Sequence, residues 1–382
     1  MSQEPYPYAL VVRWPVGGIR THLKYSRELL ASDAAQFKPV YVSYDDIDTA
    51  LAVSSLAIAP QDNRSTGVHS LSKMFFRVLQ VCANRRIRLI HSQGFISSIL
   101  STPASLLFGK RHVVSVHDVI TDEVIASTRG FSRGILGLCL RLSFAVHAVG
   151  EDCARSIRRL PFMKKAKNIV IIRNGIDIRR FSNTSAVDLR SIAGADPATQ
   201  LIGFFGRFHP QKGFRDLIDA VGLLKTEHPE LSLKVVAVGD AGTLEEDKAY
   251  IASKGLQECF YFHSQVENPA SLMVSCDMIA MPSHWEAYSL LAAEVLTLGV
   301  PLIASDCIGL AEVTRDTPAR SFQARNPRAL AEALIAEAKA PTKGKARTFM
   351  SEARNRFDFT QNAQRINRLL YIAHTCQPLN TL

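Results

Sequence analysis

The sequence has 382 residues, 47% of them apolar, and a formal net charge of +10. That length exceeds what one hydrophobic core usually serves, so two domains are expected, and ordinary Gly, Pro and aromatic content excludes a disordered or fibrous chain. The charge is lopsided: residues 1–185 hold 25 of the 45 Lys and Arg but only 13 of the 35 Asp and Glu, a surplus of +12 there against −2 in the remainder.

In chain order, short β-rich runs alternate with helical patterns. Strands are predicted at 8–13, 39–43, 88–92, 112–117, 145–149 and 168–172. A turn at 15–18 and a helix over 19–31 follow the first, and 71–84 is apolar at helical spacing. The pattern restarts with strands at 201–205, 233–238, 260–262, 278–281 and 301–304. Such alternation predicts two parallel sheets, each covered on both faces, with ligands beyond the C-terminal strand ends. The turn-forming 174–182 is the expected join. A last amphipathic helix is predicted over 360–374, with Thr360 as N-cap and Ile366, Leu369, Leu370 and Ala373 on one face.

Several classes are excluded or disfavoured. The seven cysteines are scattered, odd in number and lack a CxxC pair, which speaks against disulfides and zinc and fits a reducing cytosol. The apolar run 8–12 is too short for a signal peptide, and 134–149, broken by Arg141, is too short to span a bilayer. The basic surplus fits nucleic acid, an anionic substrate or an anionic membrane face, but no nucleic-acid motif accompanies it. Its dense parts are 129–141 and 155–167; the second gathers Arg155, Arg158, Arg159, Lys164, Lys165 and Lys167 around Leu160, Phe162 and Met163. A solvated charged face beside a core helix is the plain alternative to membrane contact there.

Two segments carry chemistry. Residues 206–213, GRFHPQKG, follow a strand and hold Arg207 and Lys212 in a glycine-bounded loop. It is not a Walker loop, since Gly-Lys-Ser/Thr is missing. Residues 286–294, EAYSLLAAE, place two glutamates eight positions apart. Ser289 is a good N-cap for a helix over 290–298, with Gly299 as its stop and Pro301 just beyond. The free N–H groups of such a start attract anions. Glu286 sits just before it and Glu294 about 7 Å along the axis. Two cations and a helix start would neutralise a diphosphate without a metal, with a carboxylate on either side for hydroxyls. Alone, each segment also reads as a basic turn or a surface helix. Asp46-Ile47-Asp48 imitates a metal-binding DxD, without other support.

The ordered set of motifs resembles glycosyltransferase family 4, the retaining group 1 glycosyltransferases of the GT-B fold. The set comprises Gly17-Gly18, IHSQG at 90–94, His117-Asp118, NGID at 174–177, GRFHPQKG, Gly239-Asp240, 263–283, EAYSLLAAE as the family's E-x7-E, and 299–313. The resemblance implies two Rossmann-like domains with parallel sheets facing an interdomain cleft. An acceptor domain would span 1–178, with 360–382 packing back on it, and a donor domain 179–359. Arg207 and Lys212 would hold the donor diphosphate, Glu286 the sugar hydroxyls and Glu294 the ribose. Ser289, Leu290 and Leu291 would offer backbone N–H groups. Gly17, Gly18 and Gly239 would allow close approach, Val266 would border the base, and His117 would touch the transferring sugar. The sequence departs from the family in Ala287-Tyr288-Ser289, where Gly-Phe-Gly is frequent, in Gly150 for serine, and in Ser264 for glycine.

The expected activity is retaining transfer from a nucleotide-diphosphate sugar to a glycan or lipid-linked glycan at the cytoplasmic membrane face. No metal or other cofactor is expected, and the protein is expected to be cytoplasmic and peripheral to the membrane. The alternatives are a small soluble acceptor, a sugar-nucleotide epimerase or phosphorylase on the same fold, and a non-catalytic sugar-nucleotide binder.

Overall fold

The computed structural model describes residues 6–13, 19, 22–23, 37–42, 68–239, 242–264, 266 and 268–381. Gly17, Gly18, Asp46 and Asp48 lie outside the described residues, as does most of the helix expected over 19–31. The chain divides into two compact units, Met1–Gly175 with Phe359–Leu382, and Ile176–Asp358. Each is built on a six-stranded sheet whose neighbouring strands are all parallel.

In the first unit the strands are β1 (Tyr6–Val12), β2 (Phe37–Val42), β3 (Leu89–Gln93), β4 (Arg111–Val116), β5 (Ala145–Ala148) and β6 (Ile169–Ile171), in the order β2-β1-β3-β4-β5-β6. The helix Val68–Ala83 turns Met74, Val78 and Cys82, one turn apart each, against Ala9, Val11 and Ile90 of the sheet. The C-terminal helix Thr360–His374 buries Ile366, Leu369, Leu370 and Ala373 and packs on β3 and β4.

The second unit contains β7 (Gln200–Phe205), β8 (Leu233–Val238), β9 (Phe260–His263), β10 (Met278–Met281), β11 (Leu302–Ser305) and β12 (Arg320–Phe322), ordered β12-β11-β10-β7-β8-β9. The helix Phe214–Glu227 sends Phe214, Leu217, Ile218, Val221 and Leu224 into its core. There Phe214 meets Phe204 at 4.6 Å and Phe208 edge-on at 5.0 Å between ring centroids. β12 is absent from the sequence reading. It is three residues long, RSF, pairs only with β11 and buries one side chain, so it leaves no periodic signal.

A parallel strand covered on both faces normally reads as an unbroken apolar run. β3 and β4 break that rule. His91, Ser92, Gln93, His112 and Ser115 are all buried in them, as are Ser97, Ser98, Ser101 and Thr102 on the adjacent helix Phe95–Leu107. The polar atoms bond to one another. Ser92 Oγ lies 2.9 Å from both Ser101 Oγ and His112 Nε2, and the other ring nitrogen of His112 is 3.2 Å from Ser143 Oγ. Burial holds five histidines of this unit below the ordinary imidazole range: His22 at about 4, His91, His112 and His147 at about 3, and the half-buried His117 well down.

This sets a pH dependence. The unfolded chain protonates its histidines as pH falls through about 6.5, whereas His22, His91, His112 and His147 stay neutral in the folded state until about 3–4, so over that window the unfolded state binds more protons. Stability is therefore complete above the upper edge and drains as pH falls through the window, by on the order of 1 kcal/mol per pH unit for each histidine. Urea midpoints are expected to be level from about pH 8 to 7 and to drop steeply by about pH 5. A midpoint that stays level down to about pH 5 would show that the rings gain protons freely in the native state.

Candidate active site

In the second unit β7 and β10 are neighbours, yet the chain leaves them toward opposite sides, to β8 and β9 from one and to β11 and β12 from the other. The loops beyond their C-terminal ends therefore part and leave a crevice, the place where open parallel sheets take ligands. Loop 206–213 follows β7 and loop 282–289 follows β10, so the two segments singled out in the sequence flank this crevice.

The loops are drawn together by backbone contact. Gly213 has φ 66°, and a Cβ there would sit 1.9 Å from the Pro282 carbonyl oxygen. The His284 N–H donates to Gln211 O at 2.7 Å, and the Gln211 amide donates to Trp285 O at 2.9 Å. His284 Nε2 is 2.9 Å from Asp216 Oδ2 at the start of the helix Phe214–Glu227. A third loop adds to the clamp: the Glu286 N–H donates to Ile308 O at 3.0 Å, and a Cβ on Gly309, at φ 77°, would come within 2.1 Å of Glu286 O. Gly239, just past β8, has its Cα close against the Gly206 carbonyl, where a Cβ would be 1.9 Å away.

This framework fixes one carboxylate. Glu286 is buried, and its Oε1 accepts from Lys212 Nζ at 2.7 Å and from Ser283 Oγ at 2.8 Å. Ser283 is in turn held by Ser305, whose Oγ donates to its carbonyl at 2.5 Å. The sequence reading gave Lys212 and Arg207 the same task. The structure separates them: Lys212 is engaged by Glu286, while Arg207 is exposed and has no hydrogen-bond partner among the described residues. The local field is positive. His209 is held below the ordinary imidazole range first by burial and then by the charges of Arg207 and Lys212.

The helix Leu290–Leu298 starts and stops as the sequence predicts. Ser289 caps it, with Oγ accepting from the Ala292 N–H at 3.4 Å, and Gly299 closes it in the left-handed conformation. The Ala293 N–H reaches Ser289 O. The N–H groups of Leu290 and Leu291 have no protein acceptor among the described residues, so the start offers two donors and the positive end of the dipole. Glu294 is half-buried one turn further along this helix, and Val266 is half-buried just beyond β9.

His117 belongs to the first unit, immediately after β4, half-buried, with Nε2 2.7 Å from the side-chain amide of Gln93 at the end of β3. The His22 ring, 4.7 Å away, packs on it. Four participants escaped the sequence reading: Ser283, the His284–Asp216 pair, Gly309 and Gln93. Ser283, His284, Gly309 and Gln93 stand inside or beside quoted motifs, but nothing local marks their partners.

Two family models match the chain: Glycosyltransferase Family 4 over residues 16–180 and Glycosyl transferases group 1 over residues 199–338. A D-inositol 3-phosphate glycosyltransferase of Arthrobacter sp. (strain FB24) is 24% identical over 266 residues, 67% of this chain and 63% of that protein. The lipopolysaccharide core biosynthesis mannosyltransferase LpsB of Rhizobium meliloti (strain 1021) is 29% identical over 174 residues, 44% of this chain and 49% of that one. The chain thus matches under two thirds of the length of these relatives. Among solved structures, Anabaena Alr3699/HepE in complex with UDP-glucose aligns with a TM-score of 0.78 at 19% identity, covering 96% of this chain and 99% of that one. Sucrose-phosphate synthase from Thermosynechococcus elongatus aligns with a TM-score of 0.80 at 17% identity, covering 97% and 100%. These likenesses establish the fold as GT-B, with two Rossmann-like units.

The clamp on Glu286 predicts the effect of a single methyl group. Gly309→Ala adds a Cβ where the Glu286 carbonyl already sits and imposes a left-handed backbone on alanine, at a cost of about 1–3 kcal/mol. The urea midpoint is expected to fall accordingly, and Gly344→Ala, in the helix Lys343–Phe357 where a Cβ meets nothing within 4 Å, to hold or raise it. Equal midpoints for the two variants would mean that the Ile308–Gly309 loop does not press on Glu286.

Proposed function

Because the chain belongs to the group 1 glycosyltransferases of family 4, we propose that it moves a sugar from a nucleotide-diphosphate donor to a glycan or lipid-linked acceptor, with retention of configuration. One observation carries the donor half of this reading. A buried, lysine-held carboxylate stands beside a capped helix start with two open N–H groups and an exposed arginine, all at one switch point. Arg207 and the Leu290 and Leu291 N–H groups suit phosphate oxygens. The fixed Glu286 suits sugar hydroxyls, and Glu294 the ribose. The positive field supports loss of the diphosphate without a metal ion. In the reaction the bond from the anomeric carbon to the diphosphate oxygen breaks as the acceptor oxygen attacks the same face, and the leaving diphosphate takes the acceptor proton. A relative solved with UDP-glucose supports a nucleotide-sugar donor.

The acceptor half rests on the surface of the first unit. On the helix Gly130–Leu142, Phe131, Ile135, Leu138 and Leu142 recur at spacings of four, three and four and are all exposed, Phe131 at 80%. They form one outward apolar stripe, flanked by exposed Arg129 and Arg141. Gly137, on the buried side of the same helix, lets it touch the Pro161 carbonyl, where a Cβ would be only 2.0 Å away, and the turn that follows exposes Phe162, at 61%, with Lys164 and Lys165. Leu160 and Met163, read in the sequence with that surface, are instead buried. Apolar tips set among cations fit an anionic lipid face that presents the acceptor. No described helix is long and apolar enough to cross a membrane.

The donor half is tested by separating the glutamates. Glu286→Gln is expected to lower kcat by about 10²-fold, the scale of one well-placed electrostatic contact, with affinity for the bare nucleotide diphosphate equal or tighter because Lys212 is released. Glu294→Gln is expected mainly to raise KM. Loss of diphosphate binding in Glu286→Gln with none in Glu294→Gln would reverse the placement.

The acceptor half is tested by sedimentation with vesicles. Binding is expected with acidic lipid and to weaken at high salt, and it should fall further when Phe131 and Phe162 become serine. Equal partition with neutral and acidic vesicles would favour a small soluble acceptor.

A further inference from the structure

The buried histidines of the first unit form a chain of hydrogen bonds whose protons can be assigned from one end. His147 Nε2 lies 2.9 Å from Ile172 O. A carbonyl only accepts, so this nitrogen carries a proton. Burial pushes His147 down to about 3, His22 opposing its charge in addition, and no acidic side chain bonds to any of the five rings among the described residues. His147 is therefore a neutral imidazole, and its Nδ1 is bare. Ser115 Oγ, 2.9 Å from that Nδ1, must donate to it. A hydroxyl has a single proton, so the same Oγ accepts from its other neighbour, His91 Nε2, at 2.8 Å. His91 Nε2 thus carries a proton.

The side-chain amide of Gln93 lies between His91 and His117. As placed, its Nε2 is 3.0 Å from His91 Nε2 and its Oε1 2.7 Å from His117 Nε2, but a half-turn of the amide exchanges the two ends without moving anything else. Facing a protonated Nε2 on His91, the nearer end must be the oxygen, which shares that single proton with Ser115 Oγ in a three-centre bond. The amide NH2 then points at His117 and can bond only to a bare Nε2. A neutral His117 has its proton on the remaining nitrogen, Nδ1. The opposite orientation, with Oε1 toward His117, satisfies every contact only if His147 becomes an imidazolium in a site that excludes water and supplies no counter-charge.

We propose that Gln93 is a positioning residue that holds His117 as the Nδ1–H tautomer, so that this histidine presents a hydrogen-bond donor to its ligand. Nδ1 has no protein partner among the described residues, and the His22 ring packed at 4.7 Å limits how the imidazole can turn. The group that His117 recognises is accordingly an oxygen acting as acceptor, such as a sugar hydroxyl or a phosphate oxygen. Gln93 touches no ligand in this scheme; it acts through His117. The step from tautomer to substrate rests on the glycosyl-transfer reading above, whereas the tautomer itself does not.

The test is nitrogen-15 NMR of the full chain labelled on histidine, at neutral pH, with His117 assigned by difference from His117→Asn. Long-range proton–nitrogen couplings show which ring nitrogen is protonated. The wild type is expected to show Nδ1–H. In Gln93→Glu an ionised carboxylate can only accept, so a proton is then expected on Nε2 of His117. Nε2–H in the wild type overturns the proposal without recourse to any variant, and so does an unmoved Nδ1–H in a folded Gln93→Glu protein whose introduced carboxyl is shown to be ionised by its carbon-13 shift. Transfer activity is read in parallel. With Nδ1 turned from donor to acceptor, kcat/KM is expected to fall about tenfold or more. A moved proton with unchanged transfer would leave the tautomer assignment standing and count against His117 as a ligand contact.

Discussion

A carboxylate that is nine-tenths buried at the end of a parallel sheet requires a partner, and for Glu286 that partner is Lys212. The pair joins the loop after β7 to the loop after β10 across 74 residues of sequence, at the point where the strand order reverses. Removing one member of such a pair strands the other, typically at a greater cost than the intact pair gains. The backbone clamps serve this constraint. Gly213 against Pro282, Gly309 against Glu286 and the Gln211 hydrogen bonds hold both ends of the ion pair at a fixed separation. The carboxylate is thereby oriented in advance, so little reorganisation would remain if a ligand met it there.

The first unit meets a similar need by different means. Its strand ends carry neutral polar side chains where the second unit carries charges. Histidine, serine and glutamine form continuous hydrogen bonds from Ile172 O to His117, and burial keeps every ring uncharged. A buried polar network is stable only when each member finds a partner, and then it has few alternative arrangements. The fixed ion pair and the fixed proton order both remove freedom from a side chain at the end of a parallel strand.

Much of this was legible in the sequence, for identifiable reasons. Strand–helix alternation located eleven of the strands because most are short runs rich in β-branched or aromatic residues. Ser289 and Gly299 marked the helix between them because caps are local chemistry. The glutamate spacing and the Arg–Lys loop were visible for the same reason. The partnership of Lys212 with Glu286 was not, since it depends on which strands become neighbours, and no local pattern records that. His91 and Gln93 were read as part of a strand and a motif, but their role depends on Ser115 and His147, each on another strand. Cations around Leu160 and Met163 read as one amphipathic surface, whereas the turn there sends those two inward and only Phe162 outward.

The ion pair also bears on how a leaving diphosphate would be accommodated. Arg207 and the two N–H groups at the helix start are open to phosphate, while Lys212 is already bound to Glu286. Under the proposed reaction, Glu286 stands near a carbon that gains positive charge as its bond to the diphosphate breaks. Attraction of the carboxylate toward that carbon weakens its hold on Lys212, and the released ammonium strengthens its attraction to the oxygens on which negative charge accumulates. In the ground state the two charges largely cancel each other. In the transition state they are drawn to opposite ends of the breaking bond. A pair arranged in this way stabilises charge separation more than it stabilises the bound donor, and differential stabilisation of that kind raises kcat.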